Sequence, residues 1–578
     1  MHPVIKAQCQ QFKANESLYH MSETEVFEAY TIYSIISGKL GYGVNPLDVH
    51  LKGDEFGLDG VAVIIQGELV KDTDEANAVL EGINNPEIEF AFFQSKTSTN
   101  YDYGDIVKLF DAIDQFFDDD LYGESDQLND IIDVKDVIYR KGITKKNPGI
   151  RIYYATSGIY KKPARIEKLI SDRIQKLRDR SIFDNNRIDV EMLGADKLQT
   201  FYRSASRSNQ ARIDFPKQVS LPKNLKVEQG YIGFIDASEL VKMVEIRDDA
   251  GQVIGINRYV FFDNVRDYNE NSSLNKRISN TIEEAQGTDF VFRNNGVTVI
   301  AKAIHRTADD FRIEDYQIVN GCQTANILFN NKDNLQGVSV PFRLIGTTDD
   351  DFIASIIIGT NSQNQIKEEQ FLALLPFVKN LEEYCRSIDD QFKIFIERRE
   401  NQYHREEIER ARIMQLPVLL KAISATLLGQ PNRSARDYKK IYSENKSVIF
   451  QENSDVRIYH AIAYLYYRLE FLWRNQKIDS SLKIFRFYII WAVYVTITNG
   501  VDVLKLHKSN QLASIAKSIV DTVSDEETFK EIVRDVSKKL TTDESQLSNE
   551  NREKLRDTIR SDAFFQSVRQ KLFGDKAS

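Results

Sequence analysis

Two apolar stretches decide the fold of the first part of this chain: residues 57–65, GLDGVAVII, and residues 88–96, IEFAFFQSK. Each has the length and the β-branched and aromatic content of a buried strand. Asp59 stands in the tight turn that opens the first stretch, and Gln94 and Lys96 stand at the far end of the second. Residues two apart on a strand share one face, so Gln94 and Lys96 are predicted to lie side by side.

An acidic residue beside a Gln-x-Lys pair is a suitable arrangement for hydrolysing a phosphodiester. Mg²⁺ (or Mn²⁺) is a hard cation that takes oxygen ligands, and Asp59, Gln94 and a main-chain carbonyl near Ser95 offer them. Such a cation polarises a phosphoryl oxygen and acidifies water, while Lys96 positions that water or offsets the developing charge. The alternative, from residue types alone, is an ordinary strand pair that ends in a solvated lysine.

The order of Asp59, Gln94 and Lys96 resembles the PD-(D/E)xK nucleases, and the Gln-x-Lys form is similar to their Mrr-type restriction endonuclease branch. The resemblance implies an α/β restriction-endonuclease-like domain in which these residues hold the metal and assist the reaction. It also implies that the neighbouring elements are those of a nuclease fold.

In that family a helix before the first strand often supplies another acid. Glu25 and Glu28 lie on the helical pattern of residues 22–37, and Glu28 is the more central of the two. The chain departs from the family pattern in two ways: Leu58 stands where the motif has proline, and the long interval between the strands requires residues 67–87 to form an elaborated hairpin. The predicted catalytic residues are Asp59, Gln94, Lys96 and Glu28, and the predicted metal ligands are Asp59, Gln94 and Glu28.

Residues 1–205 are predicted to form this first domain. Helical and strand patterns alternate through it, as in a sheet with helices on its faces. The helical pattern of residues 163–180 and the residues just before it are rich in Lys and Arg, which meet phosphates without reading sequence. A solvated helix face explains these charges equally well. The predicted nucleic-acid-binding residues are Lys161, Lys162, Arg165, Lys168 and Arg173.

The composition narrows the class of protein. The 578 residues are 42% hydrophobic and 28% charged, as in soluble globular proteins. A net charge of -10 argues against coating nucleic acid by bulk attraction but permits local contacts. Three scattered cysteines exclude a disulfide framework, and the N-terminus has no secretory apolar region, so a cytoplasmic protein that does not engage the membrane is predicted.

ATP hydrolysis is not predicted, because the chain has no Gly-x4-Gly-Lys-Ser/Thr loop.

Residues 206–223 are polar and aperiodic, and we predict a linker there. Beyond the linker, five ordered blocks resemble the AIPR family, the abortive-infection phage-resistance proteins. The blocks are DNVRDY (263–268), FVFRNNGVT (290–298), IVNGCQT (318–324), GTNSQN (359–364) and ERR (397–399). The resemblance implies an α+β AIPR domain, predicted over residues 224–400, and a role in prokaryotic phage defence. Such proteins often have a nuclease-like N-terminal region.

Polar residues in these blocks stand at the ends of apolar runs. Clustered amides suit base edges or nucleotide rings, and a guanidinium suits phosphate. Asn-Gly at 295–296 and at 320–321 is also a hairpin signal, so a purely structural role is the alternative for about half of the set. The predicted polar site comprises Arg266, Arg293, Asn294, Asn295, Asn320, Gln323, Asn361 and Asn364, with Arg398 and Arg399 as further candidates for binding an anion.

From residue 367 onward the apolar spacing is almost wholly helical, and residues 401–578 are predicted as a mostly α-helical C-terminal region. Its aromatic-rich part is predicted to form a bundle core rather than a base-stacking platform, with a dimer interface as the role of any exposed fraction. The most apolar run, residues 484–497, contains Arg486 and is too short to span a bilayer, so we expect a buried helix.

The predicted function is a metal-dependent endonuclease that cleaves DNA in prokaryotic anti-phage defence. A homodimer is expected because one such site cuts one strand, and a phage-derived or operon-encoded trigger would be a further partner. Two alternatives remain open: a nucleic-acid- or nucleotide-sensing protein with a degenerate nuclease domain, and an RNase that halts translation.

Overall fold

The computed structural model describes residues 1–51, 57–80, 83, 85–118, 125–142, 146–206, 209–247, 251–261, 289–361, 372–373, 375–398, 402–403, 406, 408–541 and 552–574. The chain divides into two compact units. The first consists of residues 1–9 and 23–366 and contains two larger sheets; the second consists of residues 10–22 and 367–578 and is mostly helical. The predicted mixture of α and β structure, followed by a helical C-terminal region, is confirmed.

The first sheet has five strands in the order β2-β1-β3-β4-β5. They are β1 (Gly60–Ile65), β2 (Glu68–Val70), β3 (Ile88–Lys96), β4 (Gly149–Thr156) and β5 (Ile188–Leu193). β1 is antiparallel to β2 and β3, whereas β3, β4 and β5 run parallel. β1 is buried along its whole length and β3 up to Lys96, which is why both read as continuous apolar runs. Both predicted strands are confirmed.

Helices alternate with these strands, as predicted. They are α1 (Pro3–Asn15), α2 (Glu23–Leu40), α3 (Thr73–Leu80), α4 (Tyr103–Phe116), α5 (Asp126–Val137), α6 (Ala164–Asp179) and α7 (Ala195–Ser206). The predicted elaboration between the two strands contains β2 and α3. α4 packs on β3 through edge-to-face rings, with the centroid of Phe116 5.2 Å from that of Phe92 and 6.2 Å from that of Phe90.

The second sheet has six strands in the order β6-β12-β11-β13-β8-β7, and β9 and β10 form a separate pair. The strands are β6 (Gln210–Asp214), β7 (Lys217–Ser220), β8 (Gln229–Asp236), β9 (Glu245–Arg247), β10 (Val253–Ile256), β11 (Val297–Thr307), β12 (Asp310–Asn320) and β13 (Ser339–Gly346). The prediction of a linker at residues 206–223 is wrong, because β6 pairs with β12 and β7 with β8. Both strands are short and polar because they lie at the edges of the sheet.

Four helices of the described residues accompany this sheet: α8 (Ala237–Val244), α9 (Phe290–Arg293), α10 (Cys322–Asn330) and α11 (Asp350–Asn361). The two Asn-Gly pairs do not form hairpin turns. β11 and β12 are joined through Ala308, whose φ is 56°, whereas Gly296 precedes β11 and Gly321 joins β12 to α10. The positive φ values of these glycines, 86° and 89°, explain why the sequence carries a turn signal at both positions.

The helices of the second unit are α12 (Pro376–Ser387), α13 (Leu416–Thr426), α14 (Pro431–Ser434), α15 (Tyr438–Asn445), α16 (Val456–Arg474), α17 (Arg486–Thr498), α18 (Ser509–Ser524), α19 (Glu526–Thr541), α20 (Arg552–Arg560) and α21 (Asp562–Phe573), with a short parallel pair, β14 (Phe395–Glu397) and β15 (Ile413–Gln415). α13 begins at Leu416, because Pro417 stands in its first turn, a position that favours a helix start.

Most of the predicted aromatic cluster is buried in the core of this second unit, as expected for a helical bundle. The window Ser481–Thr498 is the one stretch of the described residues that is long and apolar enough to cross a membrane by composition. Half of it is buried. The Trp491 ring, for example, lies 5.1 Å from that of Phe565 and 5.4 Å from that of Phe573.

A buried acid ties residues 10–22 to the second unit. Glu16 is 1% exposed; its Oε1 lies 3.2 Å from Nε of Arg410, and its Oε2 lies 3.6 Å from Nη1 of Arg474. Arg474 also donates to the main-chain oxygen of Glu16 at 3.0 Å. The neighbouring Ser17 hydroxyl donates to the carboxylate of Glu409. These contacts hold a segment from the beginning of the chain among residues of its last third.

Glu382 is a second buried acid, on α12. It accepts hydrogen bonds from Nε of Arg398 at 2.5 Å and from the hydroxyl of Tyr403 at 2.8 Å. Burial favours the neutral acid, but these hydrogen bonds outweigh it and lower the pKa of Glu382 below its usual value. Arg398 also donates to the main-chain oxygen of Ala373 at 3.1 Å, so this candidate anion-binding residue is used within the second unit.

We expect Glu382→Ala to lower the free energy of unfolding of the second unit by about 3 kcal/mol, because it removes the buried carboxylate with which the guanidinium of Arg398 forms an ion pair. The adjacent Glu383 is exposed, and Glu383→Ala is the matched control, with an expected change below about 0.5 kcal/mol. Urea unfolding of the parent and both variants measures the difference. Equal losses in the two variants would contradict a structural role of the Glu382 ion pair.

Candidate active site

The candidate site begins with the pairing of β1 and β3. In their antiparallel register Gly60, the first residue of β1, lies opposite Phe93, and Asp59 directly precedes this pair. The Asp59 carboxylate accepts a hydrogen bond from the main-chain N–H of Ser95, between Gln94 and Lys96, which share one face of β3. The main chain holds the pair together, because Asp59 N donates to Phe93 O at 2.9 Å. Three of the predicted residues are therefore brought to one end of the sheet.

α2 brings Glu28 to the same region. A Cβ at residue 60 would lie 2.7 Å from Cδ1 of Ile32 on α2 and 3.0 Å from the main-chain oxygen of Val49, so glycine allows this close approach without a shift of either neighbour. His50, which is 1% exposed, packs beside the start of β1 through a backbone bridge to Gly60. Its Nε2 lies 2.8 Å from Oε2 of Glu28 and fixes the position of that carboxylate.

His50 was not among the residues that the sequence predicted. It stands alone in a segment without helical or strand periodicity, and no metal-ligand or catalytic spacing includes it. The contact that reveals its position, the bridge to Gly60, is made only in the folded chain. The glycine that opens an apolar strand was the one available sign that another segment approaches closely there.

The electrostatics of the site centre on Asp59. Burial, followed by the negative charge of Glu28, raises the pKa of Asp59 to about 8. The main-chain N–H of Ser95, which donates to the Asp59 carboxylate, and the charge of Lys96 act in the opposite direction but do not compensate. Two carboxylates thus share a site whose own positive charge is too small to keep both ionised at neutral pH.

Gln94 adds an oxygen without a partner. Its side chain is 2% exposed, and its Oε1 is buried with no hydrogen bond to any described residue. Buried polar atoms are almost always satisfied, so this oxygen needs a water or a cation. Two carboxylates and an amide oxygen are a donor set that suits Mg²⁺ or Mn²⁺. The amide is essential to the set, because the described residues contain no cluster of three or more His, Cys, Asp or Glu side chains suited to a metal.

The basic helix is only partly available to a ligand. Nη1 of Arg173 lies 2.8 Å from Asp111 on α4, and Lys176 and Arg180 both pair with Asp114. These ion pairs join α6 to α4, which accounts for one side of the predicted basic surface. The remaining predicted residues are exposed: Lys161, Lys162, Arg165 and Lys168. The guanidinium of Arg165 lies 4.2 Å from the centre of the Tyr103 ring, which gives it a fixed position on the surface.

Several residues of the predicted polar site meet at one end of the second sheet. Asn294 donates to the hydroxyl of Thr324 at 2.9 Å, and its Oδ1 accepts from the main-chain N–H of Gly296 at 2.8 Å. Asn320 donates to the main-chain oxygen of Thr360 at 3.1 Å. The blocks that contain Asn294, Asn320 and Thr360 are therefore adjacent in space. These two amides hold loops together, as the structural alternative predicted.

The other residues of that set differ in position. Asn295 is exposed, Gln323 is half-buried on α10, and Arg293 is exposed with Nη2 3.1 Å from Asp289. Arg266, Asn364 and Arg399 lie outside the described residues, and Asn361 is described only through the backbone of α11.

The raised pKa of Asp59 makes the stability of the first unit depend on pH. The folded chain keeps a proton on Asp59 up to a pH of about 8, whereas the unfolded chain loses it near 3.8, so the free energy of unfolding falls as the pH rises through that window. We expect Asp59→Asn to flatten this decline in metal-free buffer. The control Asp172→Asn, at an exposed position of α6, should preserve it. Thermal unfolding between about pH 5 and 8 measures both slopes, and an unchanged slope in Asp59→Asn would refute the assignment.

Gly321 fixes the turn between β12 and α10. Its φ is 89°, and a Cβ there would lie 2.7 Å from Gly296 O and 2.9 Å from Cα of Val297. Gly321→Ala should therefore destabilise the first unit by more than about 2 kcal/mol. At Gly251, φ is 80° with no atom within 4 Å of the added Cβ, so Gly251→Ala should cost only about 1 kcal/mol. Calorimetry measures the loss of stability in both variants: Gly321→Ala combines steric contact with backbone strain, whereas Gly251→Ala has backbone strain alone. Equal losses of stability would contradict this account.

Comparisons with known proteins agree with the resemblance seen in the sequence. No curated protein and no solved structure gives a significant match. Residues 261–536 match the family model described as AIPR protein. The matched region begins in the first unit and continues through most of the helices of the second, so it extends further towards the C-terminus than the predicted domain of residues 224–400. The AIPR assignment is supported for these residues, and the phage-defence role that the family suggests is supported with it.

Proposed function

We propose that this protein is a metal-dependent endonuclease that acts in the cytoplasm in prokaryotic anti-phage defence. The observation that carries the proposal is the meeting of Glu28, Asp59, Gln94 and Lys96 at one end of the first sheet. The order of elements α2, β1, β2, α3, β3, α4, α5, β4, with the sheet order β2-β1-β3-β4-β5, supports a PD-(D/E)xK-like domain for this region. The AIPR match over residues 261–536 supports the role in defence.

Asp59, Glu28 and Oε1 of Gln94 would hold Mg²⁺ or Mn²⁺. When bound, the cation supplies a Lewis acid for a phosphate oxygen. It would also take the place of the proton on Asp59, because metal ligands must be deprotonated. Burial and the negative charge of Glu28 both oppose ionisation of Asp59. A bound cation would offset both effects.

The chain's own residues have separate tasks. Lys96, half-buried at the end of β3 and close enough to Asp59 to lower its pKa, would orient the attacking water and stabilise charge that develops on the phosphate. His50 keeps Oε2 of Glu28 in place. The exposed residues Lys161, Lys162, Arg165 and Lys168 would contact the backbone of the substrate. DNA is the preferred substrate, and duplex cleavage would require a homodimer or two encounters.

The test is incubation of the purified full-length protein with supercoiled plasmid DNA and with structured RNA, in Mg²⁺, Mn²⁺ or EDTA. We expect cleavage of DNA only with metal, and a loss of at least about 100-fold in Asp59→Asn and Lys96→Ala because each removes a charged group at the reacting phosphate. Lys71→Ala, at an exposed lysine after β2, is the matched control and should cut at the parent rate.

Three results would change the proposal. Cleavage in EDTA, or undiminished cleavage by the two variants, would place the chemistry elsewhere. Cleavage of RNA alone would make the protein an RNase that uses the same residues. If neither polymer is cut, binding of Mn²⁺ followed by electron paramagnetic resonance separates two cases. Binding that is lost in Asp59→Asn indicates an intact site that awaits a trigger, whereas no binding indicates a degenerate one.

A further inference from the structure

The second sheet has one face that is only partly covered. Over part of it, Ile353 and Ile357 of α11 pack on Ile300, Val319 and Ile345 of the sheet. Beyond that helix, apolar side chains of β7 and β8 face solvent: Val219 is 69% exposed, and Ile232 and Phe234 are each 40% exposed. Strand residues on the opposite face, such as Tyr231 and Ile235, are buried in the core.

The strand register places the exposed side chains in two adjacent rows. In the first row Val219 lies opposite Ile232, which lies opposite Arg343 of β13. In the second row Lys217 lies opposite Phe234, which lies opposite Pro341. Paired residues point to the same side of a sheet, so these six side chains form one continuous surface. We call them the open sheet face.

Positive charge accompanies this surface. Nζ of Lys217 lies 5.0 Å from the centre of the Phe234 ring, Arg343 is half-buried between the strands, and Lys223 is exposed just beyond β7. Within the described part of the chain, none of these three side chains forms an ion pair with a carboxylate. Lys226, only three residues from Lys223, differs, since it pairs with Asp349 at 3.5 Å.

A cavity of about 510 Å³ adjoins the open sheet face where the strands meet α11. Arg343 and Lys223 contribute its charged groups, Asn224 and Thr360 its polar groups, and Phe352 an aromatic ring. Its volume lies within the range of small-ligand sites, roughly 300 to 1,000 Å³. A base or phosphate could therefore enter beside Arg343 while the rest of a strand follows the sheet.

We infer that the open sheet face binds single-stranded nucleic acid, independently of the nuclease site. An exposed aromatic ring on a sheet offers a stacking surface for an unpaired base, and nearby Lys and Arg meet the phosphates that link successive bases. Phe234 is the stacking residue; Lys217, Arg343 and Lys223 contact the backbone. A duplex is disfavoured because its base faces are stacked on each other. An apolar protein partner is disfavoured because it would bury three uncompensated positive charges.

The test is fluorescence anisotropy with labelled oligonucleotides of about 20 residues, oligo(dT) and oligo(rU), in EDTA so that no cleavage occurs. We expect Phe234→Ala and Arg343→Ala each to weaken binding about tenfold, and Arg343→Lys to retain most of it. Arg343→Ala should also reduce the slope of log K against log salt by about 0.7, the value for one phosphate contact on a single strand. A comparison of the affinities for oligo(dT) and oligo(rU) shows whether the open sheet face prefers DNA or RNA.

Lys332→Ala is the matched control. Lys332 also lies over a phenylalanine ring, 5.2 Å from the centre of that of Phe329, but it belongs to a turn after α10 rather than to the open sheet face. Binding by Phe234→Ala and Arg343→Ala as tight as that of this control would overturn the inference. So would a parent that forms dimers which Phe234→Ala dissociates, since the face would then be a contact between copies. Because no metal is present, failure here says nothing against cleavage at Asp59.

Discussion

The lack of a side chain at residue 60 is the constraint on which the candidate active site depends. Ile32 of α2 and the main chain at Val49 both approach the start of β1 more closely than a Cβ would allow. That approach brings Glu28 and His50, from two other segments, close to Asp59, which is hydrogen-bonded to the main chain of Phe93 and Ser95 on β3. The site is therefore assembled by backbone packing, and polar contacts from His50 and from the main chain of Ser95 hold the carboxylates of Glu28 and Asp59.

The same packing makes the site costly in the absence of a ligand. Two carboxylates lie in a region with little water, Gln94 Oε1 has no partner among the described residues, and Lys96 is the nearest positive charge that acts on Asp59. A chain selected only for stability would have little reason to keep such a group of residues together. The candidate active site has an excess of negative charge. The open sheet face has instead an excess of positive charge, together with exposed apolar groups. Both regions depart from what stability alone favours.

The first sheet could be predicted from the sequence because its central strands are buried on both faces. Burial of that kind leaves an unbroken apolar run, and strand periodicity put Gln94 and Lys96 on one face. The resemblance to the PD-(D/E)xK nucleases was needed to add Asp59 to them. Glu28 was chosen because the resemblance implies an acid on the helix before the first strand, and it is the more central of the two acids on the helical pattern of residues 22–37. His50 could not, because its position depends on a bridge to Gly60 and not on any local pattern.

The errors also have physical reasons. β6 and β7 lie at sheet edges, where side chains need not be apolar, so their residues resembled a linker. The charges on α6 could be counted, but their partners on α4 lie about 60 residues away and only the fold reveals them. The Asn-Gly pairs suggested hairpin turns, but the positive φ that such turns require serves a strand-to-helix turn as well.

The contacts of Glu16 impose an order of events during synthesis. Residues 10–22 leave the ribosome early, yet Glu16 is buried against Arg410 and Arg474, which are made only after the whole of the first unit. A domain whose first segment packs on residues from the last third of the chain cannot complete its folding from the N-terminus onward. Until then an acid and its flanking apolar residues remain exposed on the nascent chain, and a product that ends before residue 474 would never satisfy them. Burial of Glu16 therefore requires that translation has passed Arg474.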